Sequence, residues 1–159
     1  MKQGDPDRSR IMRAVKGKDT SPERFVRSIL HRAGYRFRLH ATDLPGKPDI
    51  IFRRRKKAIF VHGCFWHGHN CKRGARIPKS NTQYWKKKIG SNIDRDVRSL
   101  GALKALGWSV AIVWECELKE PNSVMRRMSM FLDGELCLPT QSLSNQAKAD
   151  CEDILPPSR

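Results

Sequence analysis

The spacing of apolar residues divides the chain into alternating helical and extended stretches. Thr20-Ser21-Pro22-Glu23 reads as a helix start: the threonine can cap, proline suits the first turn, and the glutamate completes a capping box. Phe25, Val26, Ile29, Leu30 and Ala33 then fall on one helical face, and Gly34 ends the helix. Tyr35, Phe37 and Leu39 alternate with Arg36, Arg38 and His40, the period of a half-exposed strand. After a turn at Leu44-Pro45-Gly46-Lys47-Pro48, the run Asp49-Ile50-Ile51-Phe52 predicts a second strand and Arg53 to Lys57 a charged hairpin connection. Ala58-Ile59-Phe60-Val61 is a third strand, apolar throughout, as expected of a strand covered on both faces.

A basic loop, Lys72 to Ser80, precedes a helix that begins at Asn81 or Thr82. Ile93, Val97, Leu100, Leu103 and Leu106 carry its amphipathic spacing, and Gly107 stops it. Gly90-Ser91 can interrupt that helix, with Asn92 able to cap the continuation. Trp108 to Trp114 is a fourth strand, and a helix between the third and fourth is what a parallel crossover requires. Pro121 opens a last helix through Val124, Met125, Met128, Phe131 and Leu132. This order predicts an α/β fold, a small mixed β-sheet flanked by helices. Residues 1–7 are polar, and Arg8 to Val15 is a basic segment that suits either a helix or a solvated arm. Residues 1–138 are expected to form a single domain, with 1–20 as a basic N-terminal segment. Residues 139–159, where periodicity is lost, are expected to be a mobile tail.

Composition adds a partner. Lysine and arginine total 32 against 16 acids, a formal charge of +16, whose simplest use is to neutralise phosphates. A ribosomal or histone-like protein can show the same balance, but four tryptophans and the apolar strands argue for a packed globule. No apolar run approaches the ~20 residues of a membrane helix, and the polar N-terminus gives no signal peptide to expect. An intracellular, reducing location is the default. Five cysteines there suit ligands or free thiols better than disulfides.

The chemistry concentrates between Phe60 and Cys71, where three histidines and two cysteines surround the adjacent pair Phe65-Trp66. Cys64, His69 and Cys71, with Cys116 just past the fourth strand, make a donor set suited to a tetrahedral structural zinc. Against it stands a blander reading, in which Cys116 is a core thiol and the histidines are ordinary loop residues. Cys137 and Cys151 have no such neighbours and read as free thiols. Asp49 by itself is an ordinary turn aspartate. Its interest comes from His62 on the next strand, His67, and the helical Glu23. A carboxylate can hold Mg²⁺ against a phosphate oxygen, and a histidine can take a proton from water. Asp94 and Asp96 can add charge nearby or simply be solvated. Phe65, Trp66 and Trp85, the last amid lysines, suit insertion beside bases, whereas Trp108 and Trp114 suit the core.

The runs Leu44-Pro45-Gly46-Lys47-Pro48-Asp49, His62-Gly63-Cys64-Phe65-Trp66-His67 and Val113-Trp114-Glu115-Cys116 resemble those of the very-short-patch-repair (Vsr-type) DNA mismatch endonucleases. Order and approximate spacing agree from about Arg8 to Leu118. The resemblance implies a restriction-endonuclease-like core. It also implies an Mg²⁺-dependent nick on the 5′ side of the mismatched thymidine in T·G mispairs left by deamination of 5-methylcytosine. By position, Asp49 matches a magnesium-binding aspartate, and Val61 would add its backbone carbonyl. His67 matches the proposed general base with Glu23 as its carboxylate partner, His62 a second histidine near the phosphate, and Asp96 an acid acting through metal-bound water. Cys64, His69, Cys71 and Cys116 match structural zinc ligands. Phe65, Trp66 and Trp85 match intercalating aromatics, Met12 a residue entering from the minor groove, and Lys88 and Asn92 contacts at the mismatch. A monomer acting on duplex DNA in the cytoplasm, at a prokaryotic nucleoid, follows, with other mismatch-repair proteins as further partners and no membrane.

Departures are local. The general nuclease pattern has a second acid and a lysine where this chain has Phe60-Val61-His62, a feature it shares with the Vsr-type enzymes. Val61 stands where threonine can occur, and Gly68 and Asn70 replace histidines away from the ligand positions. Two other readings stay open on the residues: a restriction-type nuclease on fully paired DNA, and a non-catalytic zinc DNA-binding module.

Overall fold

A computed structural model describes residues 18–134. Met12, the Arg8 to Val15 segment, Cys137, Cys151 and the expected tail lie outside the described residues. Within them the chain is a mixed α/β structure with three helices, α1 (Ser21–Arg32), α2 (Thr82–Ala105) and α3 (Pro121–Asp133). Four strands, β1 (Arg38–Leu39), β2 (Ile50–Phe52), β3 (Lys57–His62) and β4 (Ser109–Trp114), form one sheet in the order β1-β2-β3-β4. The first two pairings are antiparallel, and β3 and β4 run parallel across the α2 crossover.

Strand parity sorts the core into two layers. Ile59 and Val61 of β3, with Ala111 and Val113 of β4, face α1 and α3 and pack with Val26, Leu30, Val124, Met128 and Leu132. Ala58 and Phe60, with Val110 and Ile112, face the other way, against Leu100 and Leu103 of α2. β3 is buried along nearly its whole length, as its unbroken apolar run requires. His62 and Trp114 end their strands in register, and by parity both project toward α2.

Several local expectations change. The pairing of β1 is confined to Arg38 and Leu39, both exposed, because His40 takes a positive φ of 50° and turns the chain away. Tyr35 and Phe37 still point inward, edge-on to Phe52 at 6.3 and 6.0 Å. α2 runs without interruption through Gly90-Ser91. A helical glycine costs about 1 kcal/mol, which the packing of Trp85, Ile89, Asn92 and Leu103 outweighs. α1 starts as expected, with Thr20 Oγ1 accepting from the Glu23 N–H. The charged β2–β3 connection contains a 3-10 turn at Arg53–Arg55. From it Arg55 and Lys57 donate to the Leu132 carbonyl at 2.7 and 2.9 Å, placing cations at the C-terminus of α3.

Candidate active site and metal centre

Antiparallel pairing of β2 and β3 sets Asp49, just before Ile50, beside the end of β3. The Val61 N–H donates to Asp49 Oδ2 at 2.8 Å, leaving the other oxygen uncommitted by that bond. Asp49 is half-buried, and desolvation, with Glu23 nearby, pushes its carboxyl up to about 6 despite the Val61 bond. A carboxylate so placed gains from a bound cation. The turn before it lies against α2: a Cβ on Gly46, whose φ is +73°, would sit 2.6 Å from Ser99 Cβ. Glycine therefore permits the approach that closes a cavity of about 620 Å³ between the turn, β3, α2 and the loop after β3. Asp49, His62, His67, Asp96 and Glu23 all line it.

His67 Nδ1 lies 2.5 Å from Asp96 Oδ2. The tautomer that satisfies this contact carries the proton on Nδ1 and leaves Nε2 as the basic nitrogen. The expected partner, Glu23, is occupied elsewhere. It is buried at 4% exposure and accepts from the Asp19 N–H (2.9 Å), the Thr20 hydroxyl (2.8 Å) and Arg27 (2.9 Å). The orienting carboxylate of His67 is thus Asp96 in this structure, and Glu23 acts on the site through its charge on Asp49. Asp94 stays exposed.

His62 and His67 stack at 3.8 Å with 9° between planes. Burial, then the His67 charge, holds His62 down to about 3, and its Nδ1 is buried without a partner among the described residues. His62, His67 and Asp96 are close enough to surround an ion. Stacked rings, however, direct their nitrogen lone pairs in parallel planes, and His67 Nδ1 is committed to Asp96. That cluster suits proton transfer better than ligation.

The second metal-competent cluster is Cys64, His69, Cys71 and Cys116, with donor atoms all within 4.8 Å of one another. His69 Nδ1 and Cys116 Sγ are 3.5 Å apart, within the roughly 3.5–3.8 Å separating neighbouring donors in a zinc tetrahedron. The Cys116 and Gly74 N–H groups donate to Cys64 and Cys71 Sγ, both at 3.4 Å, as suits thiolate ligands. Burial pushes the Cys64 thiol up to about 12, while a hydrogen bond to His69 holds Cys71 down to about 6. Three sulfurs and one imidazole nitrogen fit a metal ion and make disulfide pairing unnecessary.

Two residues of this centre escaped the sequence reading. Trp114, expected in the core, stacks on His69 (4.3 Å, 23°) and meets His62 edge-on (5.3 Å, 73°). The rings of His67, His62, Trp114 and His69 therefore run in unbroken contact from the Asp96 pair to the metal cluster. Gly74 has no space for a side chain, since a Cβ would lie 2.0 Å from the His69 carbonyl oxygen. A glycine three residues after Cys71 was the available signal. Asp96 offered none as a partner for His67, because 29 residues separate them.

Phe65, Trp66, Trp85 and Tyr84 form a cluster of edge-on and tilted rings with centroids 5.1–6.1 Å apart. Phe65 and Trp66 are half-exposed, but Trp85 is buried at 7% exposure, so it meets a base only if its cover moves. Asn92, instead of capping a helix, donates from Nδ2 to the Trp66 carbonyl at 2.9 Å and ties the aromatic loop to α2. Lys88 is exposed one turn away.

Comparison with known proteins gives the family of the chain. The family described as DNA mismatch endonuclease Vsr matches residues 3–73. The chain is 53% identical over 129 residues to the type II nicking enzyme V.XorIIP of Xanthomonas oryzae pv. oryzae, covering 80% of this chain and 94% of that one. It is 44% identical over 133 residues to the DNA mismatch endonuclease Vsr of Escherichia coli, covering 80% and 85%. The type II nicking enzyme V.NmeAIP of Neisseria meningitidis is 43% identical over 125 residues, covering 79% and 89%. A basic α/β chain with a carboxylate–histidine cleft and these relatives is a DNA endonuclease. It belongs to the DNA mismatch endonuclease Vsr family. No helix among the described residues is long and apolar enough to cross a membrane.

Proposed function

We propose that the chain is a strand-specific nicking enzyme that cuts duplex DNA on the 5′ side of the mismatched thymidine in T·G mispairs. The observation that carries the reading is one shared cavity. Asp49, tied to the Val61 N–H, and the His67–Asp96 pair all face it. His67 Nε2 takes a proton from the attacking water, while Asp96 holds the ring and stabilises the imidazolium. Asp49 and the Val61 carbonyl are the groups to hold Mg²⁺, which supplies Lewis-acid stabilisation of the phosphoryl oxygens. Neutral His62 can donate a hydrogen bond near the phosphate, and Glu23 keeps the Asp49 side of the site negative. Cys64, His69, Cys71 and Cys116 hold a structural zinc that braces the loop between them. Phe65, Trp66 and an uncovered Trp85 enter the base stack from the major groove, Met12 enters from the minor groove, and Lys88 and Asn92 contact the mismatch. The core is of the restriction-endonuclease type. The enzyme works as a monomer in the cytoplasm, with other mismatch-repair proteins as candidate partners.

The test is cleavage of T·G and fully paired duplexes by wild type and Asp49→Ala. The expected result is a single-strand nick at T·G that needs Mg²⁺, is lost in Asp49→Ala, and leaves DNA binding largely intact. Double-strand cleavage of paired DNA would assign the restriction-type reading. Binding without any cleavage would leave a zinc DNA-binding module.

A further inference from the structure

The reading above leaves the arginine nearest in sequence to Asp96 without a task. Among the described residues, Lys18, Lys47, Arg73 and Arg95 are the lysines and arginines that line it. Arg73 is committed to Glu115 at 2.8 Å. Away from the cavity rim the arginines in ion pairs have structural partners: Arg53 with Asp43, Arg55 with Asp133, Arg127 with Glu117. Arg95 is exposed and has no hydrogen-bonding or ion-pair partner for its guanidinium among the described residues. Its place in the fold is not that of a random surface arginine. It sits on α2 one residue before Asp96 and three after Asn92, between the His67 partner and the anchor of the aromatic loop. Its charge is close enough to act on both His62 and Asp96.

The chemistry calls for such a group. Attack on a phosphodiester adds negative charge to the non-bridging oxygens as the reaction proceeds, and a preorganised donor aimed there acts on the transition state more than on the ground state. β3 brings no lysine or arginine to the cavity, since it ends in Phe60, Val61 and His62. Lys47 and Lys18 reach the rim from the Asp49 turn and from the approach to α1. Arg95 alone stands on the same helix as the carboxylate that orients His67. A guanidinium presents two parallel N–H groups that match two phosphate oxygens.

We propose that Arg95 is a catalytic residue, its guanidinium binding the non-bridging oxygens of the scissile phosphate and stabilising the charge that develops there. The inference rests on the nuclease reading of the His67–Asp96 site. Arg95 exchanges no proton. The water oxygen forms its bond to phosphorus and its proton passes to His67 Nε2. The bond from phosphorus to the leaving deoxyribose oxygen breaks, and that oxygen takes a proton from solvent.

The experiment is single-turnover cleavage of a T·G duplex by the full chain at saturating enzyme, comparing wild type, Arg95→Ala and Arg95→Lys. Arg95→Ala is expected to slow cleavage about 100- to 1,000-fold, the scale of losing one transition-state donor, with less than about a fivefold change in DNA affinity. Arg95→Lys recovers part of the rate, and added methylguanidinium accelerates Arg95→Ala but not wild type. An Arg95→Ala rate within threefold of wild type overturns the proposal. So does a defect that saturating enzyme abolishes, which would make Arg95 a peripheral phosphate contact. If wild type cuts paired DNA instead of T·G duplexes, the same comparison runs on that substrate, and Arg95 is judged apart from the mismatch reading. If wild type cuts no DNA, both readings fall together.

Discussion

Gly74→Ala tests whether the metal cluster is built as tightly as its geometry indicates. The added Cβ would stand 2.0 Å from the His69 carbonyl oxygen, 2.7 Å from its carbon and 2.8 Å from the Cys64 carbonyl oxygen. Real Cβ atoms essentially never come within 3.0 Å of such neighbours, so backbone must move by at least about 1 Å, the difference of 3.0 and 2.0. No flexible side chain is there to yield, and both obstructing residues carry metal donors. Gly74 also donates its N–H to Cys71 Sγ, so a third donor is disturbed. Overpacking typically costs about 1–3 kcal/mol, and the rigid surroundings place this case at the upper end, about 3 kcal/mol. For a chain of this size that lowers the melting temperature by roughly 6–12 °C. Misplaced donors also weaken metal affinity, which in structural zinc sites is itself folding free energy. Calorimetry and metal analysis of the purified protein measure both effects. Gly90→Ala is the control, because its Cβ meets nothing within 4 Å in the middle of α2. It should stabilise by about 0.5–1 kcal/mol. A Gly74→Ala protein with wild-type melting temperature and full metal content would falsify the packing argument.

Asp49→Asn should stabilise the magnesium-free protein at pH 7. The Asp49 carboxyl is raised to about 6 from 3.8, so its contribution to stability is fully present below pH 4 and lost as pH rises through 6. The gain on replacement approaches about 3 kcal/mol at pH 7 and vanishes near pH 4. Urea unfolding of both proteins across that range checks it, and a pH-independent difference would refute the assigned cause. Asp96→Asn keeps the shape at His67 Nδ1 but removes the charge that favours the reactive tautomer. It should lower kcat by about 100- to 10,000-fold with little change in KM; a kcat within threefold of wild type would leave His67 without need of Asp96.

How far the chain could be read depended on the range of the interaction. Helix starts and stops, strand parity and the parallel crossover are set by neighbours within a few residues, and they emerged close to expectation. The donors Cys64, His69 and Cys71 also lie within one loop, and Cys116 was placed with them because β4 runs parallel to β3. Expectations failed where a local preference met tertiary packing. Gly90-Ser91 does not break α2, and Asn92 serves the aromatic loop rather than a helix end. Tyr35 alternates as a strand residue but is not paired as one.

Sequence by itself determined an α/β chain with a phosphate-seeking charge, a Cys/His donor cluster and acids and histidines brought to one end of the sheet. Only the tertiary structure decided which carboxylate serves His67. Glu23 was the expected partner and Asp96 was expected to act through metal-bound water; the outcome turns on the phase of α2 and on Arg27 and the α1 cap having already engaged Glu23. The fold alone likewise buried Trp85, set Trp114 between the cavity histidines and the metal-competent cluster, and left Arg95 uncommitted at the cavity. These facts depend on distances between segments far apart in the chain, which no local spacing encodes.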